Sequence, residues 1–153
     1  VIYTLIAFIL IGAVLAFIRP KIQEMQDKAI IEQSIILMQD IDLIITAIQE
    51  VPGNQRVVDV SLKKGSLKFD CVEDILELGI DTNYKYSESD IEIKDGNLII
   101  LTSKSRISIK RDYSNFVNLT YSEKDSVKTI SQAPKPYKII FSNKGEYIDI
   151  GVN

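Results

Sequence analysis

The sequence predicts an α+β chain: a long N-terminal α-helix over residues 1–52, then a C-terminal antiparallel β-sandwich over residues 53–153. Three observations predict it. The first eighteen residues, VIYTLIAFILIGAVLAFI, carry no charge and end at Arg19-Pro20-Lys21. A helical apolar pattern continues from there to about Val51. Beyond Pro52-Gly53-Asn54 the period drops to two, in short runs separated by turn signals.

The leading run, Val1 to Ile18, is apolar all round, so it needs cover on every side from lipid or from like helices. Its length is about what a helix needs to cross a bilayer's hydrocarbon core. Gly12 and the alanines at 7, 13 and 16 are small enough to let neighbouring helices approach closely. The plainest alternative is a single-pass membrane anchor. Pro20 lacks an N–H and is expected to kink the helix where the apolar run stops. The chain opens on Val1, with the apolar run at its start. The expectation is that a leader is cut on the cytoplasmic side of that run, before it rather than after it.

From Ile22 to Val51, Glu24, Lys28, Glu32, Gln39, Asp42, Thr46 and Gln49 recur at helical spacing and predict one polar stripe. Glu24 and Lys28 stand four apart in the favourable order for an ion pair. The remaining faces carry Ile30, Ile31, Ile36, Leu37, Met38, Ile41, Leu43, Ile44, Ile45 and Ile48. That arc is wider than one contact requires. It implies two partners, the chain's own β domain and neighbouring subunits. A single helix over residues 1 to 51 would be roughly 75 Å long at 1.5 Å per residue. Gly53 is the expected stop signal.

Strands follow. Val58, Val60 and Leu62 alternate, Lys63-Lys64-Gly65 turns, and Leu67, Phe69 and Cys71 alternate again. Val72 to Leu78 is ambiguous between a helical turn and a loop, and Tyr84 to Tyr86 reads as an edge strand. Ile91 to Lys94, Asp95-Gly96 and Asn97 to Leu101 form the clearest hairpin. Ile107 and Ile109 mark one more strand, and Val117, Leu119 and Tyr121 another. Lys138 to Phe141 and Glu146 to Val152, joined by Asn143-Lys144-Gly145, close the domain with Ile148, Ile150 and Val152 inward. Many short antiparallel strands suggest a sandwich or small barrel.

Composition removes most chemistries. There is no histidine and one cysteine, which excludes the usual zinc spacings, Cys/His or Ser/His/Asp catalysis and an internal disulfide. Cys71 reads as a small buried apolar residue. A net charge of −3 without a dense Lys/Arg cluster gives no case for nucleic acid. Asp81-Thr82-Asn83 and Glu88-Ser89-Asp90 match no defined calcium loop and read as turn polarity. No catalytic, cofactor-binding or metal residue is expected, and the chain is read as structural, not enzymatic. Asn118-Leu119-Thr120 is the only Asn-x-Ser/Thr triplet. On a strand, Asn118 points away from Val117, Leu119 and Tyr121, toward solvent, where a glycan could sit.

Ile2-Tyr3-Thr4-Leu5-Ile6-Ala7-Phe8-Ile9, continuing through Val14-Leu15-Ala16, resembles the start of mature archaeal type IV pilins and archaellins. Residue-level similarity is confined to about the first sixteen residues; the order of helix and β domain extends it along the chain. The resemblance implies a leader removed by a prepilin peptidase, helices bundled in a filament core and β domains outside. It implies core packing by Val1, Ile2, Leu5, Phe8, Ile9, Gly12 and Phe17. The implied partners are copies of the chain, membrane lipid before assembly, the peptidase and the assembly machinery, with no cofactor. The implied location is an extracellular filament, after a stay in the cytoplasmic membrane. Bacterial members usually carry a glutamate at the fifth mature position; Leu5 stands here, as in archaeal members, so apolar packing would hold the core. An adhesion pilus is the first reading. An archaellin, a minor pilin and a single-span surface protein with a ligand-binding β domain stay open. Asp at Ile9 or Leu10 is expected to abolish assembly while residues 54–153 stay folded.

Overall fold

The computed structural model describes residues 1–153 as one helix followed by ten strands. Helix α1 spans Ile2–Gln49 without a break. The strands are β1 (Gln55–Val60), β2 (Ser66–Asp70), β3 (Ile75–Asp81), β4 (Glu92–Asp95), β5 (Leu98–Thr102), β6 (Arg106–Asp112), β7 (Asn118–Tyr121), β8 (Val127–Ser131), β9 (Tyr137–Asn143) and β10 (Tyr147–Val152).

They build two sheets. One has four strands in the order β1-β9-β10-β7, the other six in the order β4-β5-β6-β3-β2-β8. Every pair is antiparallel except β10 with β7, which run parallel from Tyr147↔Asn118 to Ile150↔Tyr121. The lower half of α1 touches β1 and β9 of the smaller sheet and β3 and β6 of the larger. One apolar core results. Ile31, Ile35, Met38, Ile41, Ile45 and Ile48 of the helix are buried in it beside Leu67, Phe69, Leu76, Leu78, Ile107, Ile109, Phe141 and Ile150. The boundary at residue 52/53 therefore separates helix from strands, while the core runs across it.

Several expectations need correcting. Asp42 does not belong to an exposed stripe: it is 7% exposed and lies on the buried face, because Arg111 and Asn97 reach it from the sheet. Glu24 pairs with Lys21 at 2.9 Å and Lys28 with Glu32 at 3.8 Å, not with each other. Ile75–Asp81 is a central strand, its Leu76, Leu78 and Ile80 pointing into the core. Tyr84 to Tyr86 forms no strand. The Thr82 hydroxyl accepts the Tyr84 N–H at 3.0 Å, a local turn that takes the backbone out of a ladder. In the β4–β5 hairpin the two turn residues are Gly96 and Asn97, one step later than expected, with Asp95 opposite Leu98. Gly96 takes φ +59, the first-position glycine of a type II′ turn.

The helix stop also differs. Glu50 follows the last helical residue in right-handed conformation, and the positive φ of +85 at Gly53 comes too late to cap it. The orphan carbonyls are met from another part of the chain. Asn143 Nδ2 donates to Ile48 O at 2.7 Å and to Gln49 O at 3.0 Å. The Gln49 side chain in turn donates to Phe116 O at 2.7 Å. Gly65, at φ +87, sits so close to the Gly79 carbonyl that any Cβ there would collide with it. That pins the approach to β2.

Candidate functional site

The unusual surface of this molecule is its leading rod. Every residue from Val1 to Gln26 is exposed, and none of the most apolar stretch of α1 is covered by the rest of the chain. Val1, Ile2, Leu5, Phe8, Ile9, Gly12 and Phe17 all lie on it, with Phe8 75% and Phe17 81% exposed. A Cβ on Gly12 would meet only open space, so a neighbour can approach the backbone there. Pro20 is accommodated inside the continuous helix; it has no N–H to give the Ala16 carbonyl. Thirteen large apolar side chains exposed between Val1 and Ile18 form a surface that soluble monomers rarely leave open. One helix here is long and apolar enough to cross a membrane.

The rod is held in a fixed direction by what grips its other half. Arg111 Nε on β6 donates to Asp42 Oδ1 at 2.6 Å, and Asn97 Nδ2 to Asp42 Oδ2 at 2.9 Å. The Arg111 guanidinium also lies 4.8 Å from the ring centre of Tyr113 and 4.7 Å from that of Phe116. The Tyr113 hydroxyl is buried beside this pair without a hydrogen-bond partner. Burial, with the Asp42 charge adding to it, pushes that hydroxyl's pKa upward.

Nearer the rod, Asp27 accepts from Lys64 Nζ at 2.8 Å and from the Thr82 hydroxyl at 2.6 Å. Burial works to raise its pKa, but the bonds from Lys64 and Thr82 and the Lys64 charge outweigh it and hold the carboxyl below its ordinary value. A polar crevice of about 950 Å³ opens beside this contact, lined by Glu24, Asp27, Lys64, Asp81 and Lys85 among others.

Asn118 is exposed at the start of β7, whereas Thr120, two residues on, is covered and bonded to Asp149 at 2.7 Å. Cys71 is 2% exposed, and its thiol is pushed up to about 12 by burial and by the surrounding carboxylates Asp74, Asp70, Asp125 and Asp149. No group of three or more carboxylate or sulfur side chains is placed to hold a metal ion. Sequence reasoning missed Arg111, Asn97 and Asn143. No spacing marks them, because each acts on the helix across many tens of residues.

A long apolar N-terminal helix with its lower half docked on β-sheets is a pilin-like architecture. No family model, no curated protein and no solved structure matches the chain.

Proposed function

We propose that the chain is a structural subunit, not an enzyme, that polymerises through its leading helix into an extracellular filament of the archaeal type IV pilus kind and serves surface attachment. One observation carries the reading. A single continuous helix is built into the β core over its second half and is uncovered over its first, which carries no charge from Val1 to Ile18. Burying each large apolar side chain is worth roughly 1.5–3 kcal/mol. Thirteen of them can hold a polymer together without covalent links, even after ordering costs. Before assembly the same rod rests in lipid, with Arg19, Lys21 and the polar crevice at headgroup level.

The test is to shear cells that make the chain, sediment the medium and image it after negative staining. Thin filaments that contain the chain, lost on Ile9→Asp, are the expected result. A chain found only in the detergent-soluble membrane fraction overturns the reading in favour of a single-span anchor. Deleting the gene and scoring attachment against swimming separates a pilus from a motility filament.

A further inference from the structure

The lower half of α1 is not bare of apolar residues on its outward side. Ile22, Ala29, Ile36 and Leu43 stand seven apart and are all exposed, the last three on the docked stretch of the helix. The same spacing continues upward through Leu15 and Phe8 on the free rod. A seven-residue apolar repeat is what a helix carries when it winds around another helix.

Within one chain this stripe has no partner. It also holds an unmatched pair of charges. Asp40 lies among the outward residues and takes part in no ion pair or side-chain hydrogen bond, and the same is true of Arg19 at the foot of the apolar run.

We infer that the outward stripe of one copy receives the leading rod of a second copy, parallel to it and displaced by 21 residues. This rests on the self-assembly reading above and gives it a register. Sliding one helix along another by three repeats sets Phe8 against Ala29, large against small, Leu15 against Ile36 and Ile22 against Leu43. It also sets Arg19 beside Asp40. A slide of two repeats would bring Arg19 to Gln33, and one of four would bring it to Ala47; only the middle choice pairs the cation.

The domain supplies an independent measure. It grips the helix from Asp27 to Gln49, 22 residues apart, which is about 33 Å of helix at 1.5 Å per residue. A displacement of 21 residues, about 32 Å, therefore places successive β domains end to end along the rod. Phe8 is 75% and Leu15 47% exposed on the rod, and Ile36 is 56% and Leu43 67% exposed on the receiving stripe, so both sides of the contact are open to cover.

The experiment uses the full chain. Arg19→Asp or Asp40→Arg alone is expected to reduce sedimentable polymer at least tenfold, and the two together to restore it. Phe8→Cys with Ala29→Cys, in polymer mildly oxidised, is expected to give a ladder of covalent multimers. Phe8→Cys with Ile22→Cys is expected to give none. Should the paired cysteines prevent polymer, the charge exchange alone decides. The register is overturned if polymer still forms but the exchange fails to rescue it, or if the 8–22 pair cross-links in place of 8–29. Absence of polymer from the unaltered chain overturns the self-assembly reading instead.

Discussion

Arg111 Nε donates a 2.6 Å hydrogen bond to Asp42 Oδ1 across 69 residues of sequence. Both side chains are nearly buried, 12% and 10% exposed, and Asn97 fills the second carboxylate oxygen. Such a pair sets more than stability. It fixes which face of α1 meets the sheets, and so which face is left outward.

Removing one partner of a buried pair leaves the other unmatched, which costs about 3–5 kcal/mol. Asp42→Ala should lower the unfolding free energy by about 3 kcal/mol on that ground. Urea denaturation of a chain beginning at Lys21 reads it. Asp42→Ala combined with Arg111→Met should cost clearly less than the sum of the single changes, as contacting residues do in a double-mutant cycle.

The chain beginning at Lys21 should itself be a folded monomer, because residues 1 to 26 are uncovered and contribute nothing to the core. A chain beginning at Gly53 should lose cooperative unfolding, contrary to the sequence-based expectation that residues 54–153 stay folded alone, because the core is shared with the helix. It lacks Ile31, Ile35, Met38, Ile41, Ile45 and Ile48, and six such side chains at roughly 1.5–3 kcal/mol each match the whole stability of an ordinary domain, about 5–15 kcal/mol. Circular dichroism and thermal melts of the two chains check this; a sharp melt for the shorter one would contradict it.

Asp27 has its carboxyl pKa held below the ordinary 3.8. The unfolded chain therefore takes up this proton first, and the contact's contribution is complete above about pH 4. It disappears as pH falls through the folded value. With side chains 34% and 24% exposed, the Lys64–Asp27 contact is worth at most about 1 kcal/mol after screening. Asp27→Asn should lose that amount at pH 7 and show a shallower fall in stability between about pH 5 and pH 3.

Cys71 should be inert in the native protein. Its thiol is pushed up to about 12, and the thiolate is the reactive form. A colourimetric thiol reagent at pH 8 should react about a hundredfold or more slower than it does in guanidinium. Fast labelling of folded protein would mean that β2 opens locally.

The parts of the fold that were legible are those with local rules. The apolar run, the helix period, the presence though not the register of the Asp95-Gly96 hairpin turn, and the Ile148/Ile150 alternation each declare themselves within a few residues. What stayed hidden was set by distant partners. Asp42 has the spacing of a solvent-facing residue until Arg111 is placed beside it. β3 is preceded by Asp74 at φ +56, a left-handed turn with no glycine or asparagine beside it to mark it in the sequence. β8 has a single buried residue, Ile130, and so almost no alternation to read. Of the candidate site, the rod was visible from composition. The grip that orients it was not, since Asn97, Arg111 and Asn143 carry no pattern of their own.

Asn143 belongs to β9, which lies between β1 and β10, and its carboxamide holds the last two carbonyls of α1. Its own main chain bonds Gly53 and Asn54 on both sides, at 2.9 Å each. A tug on the rod is thus delivered through short bonds to the middle of a sheet rather than to a dangling linker. Rod and head bear tension as one mechanical piece.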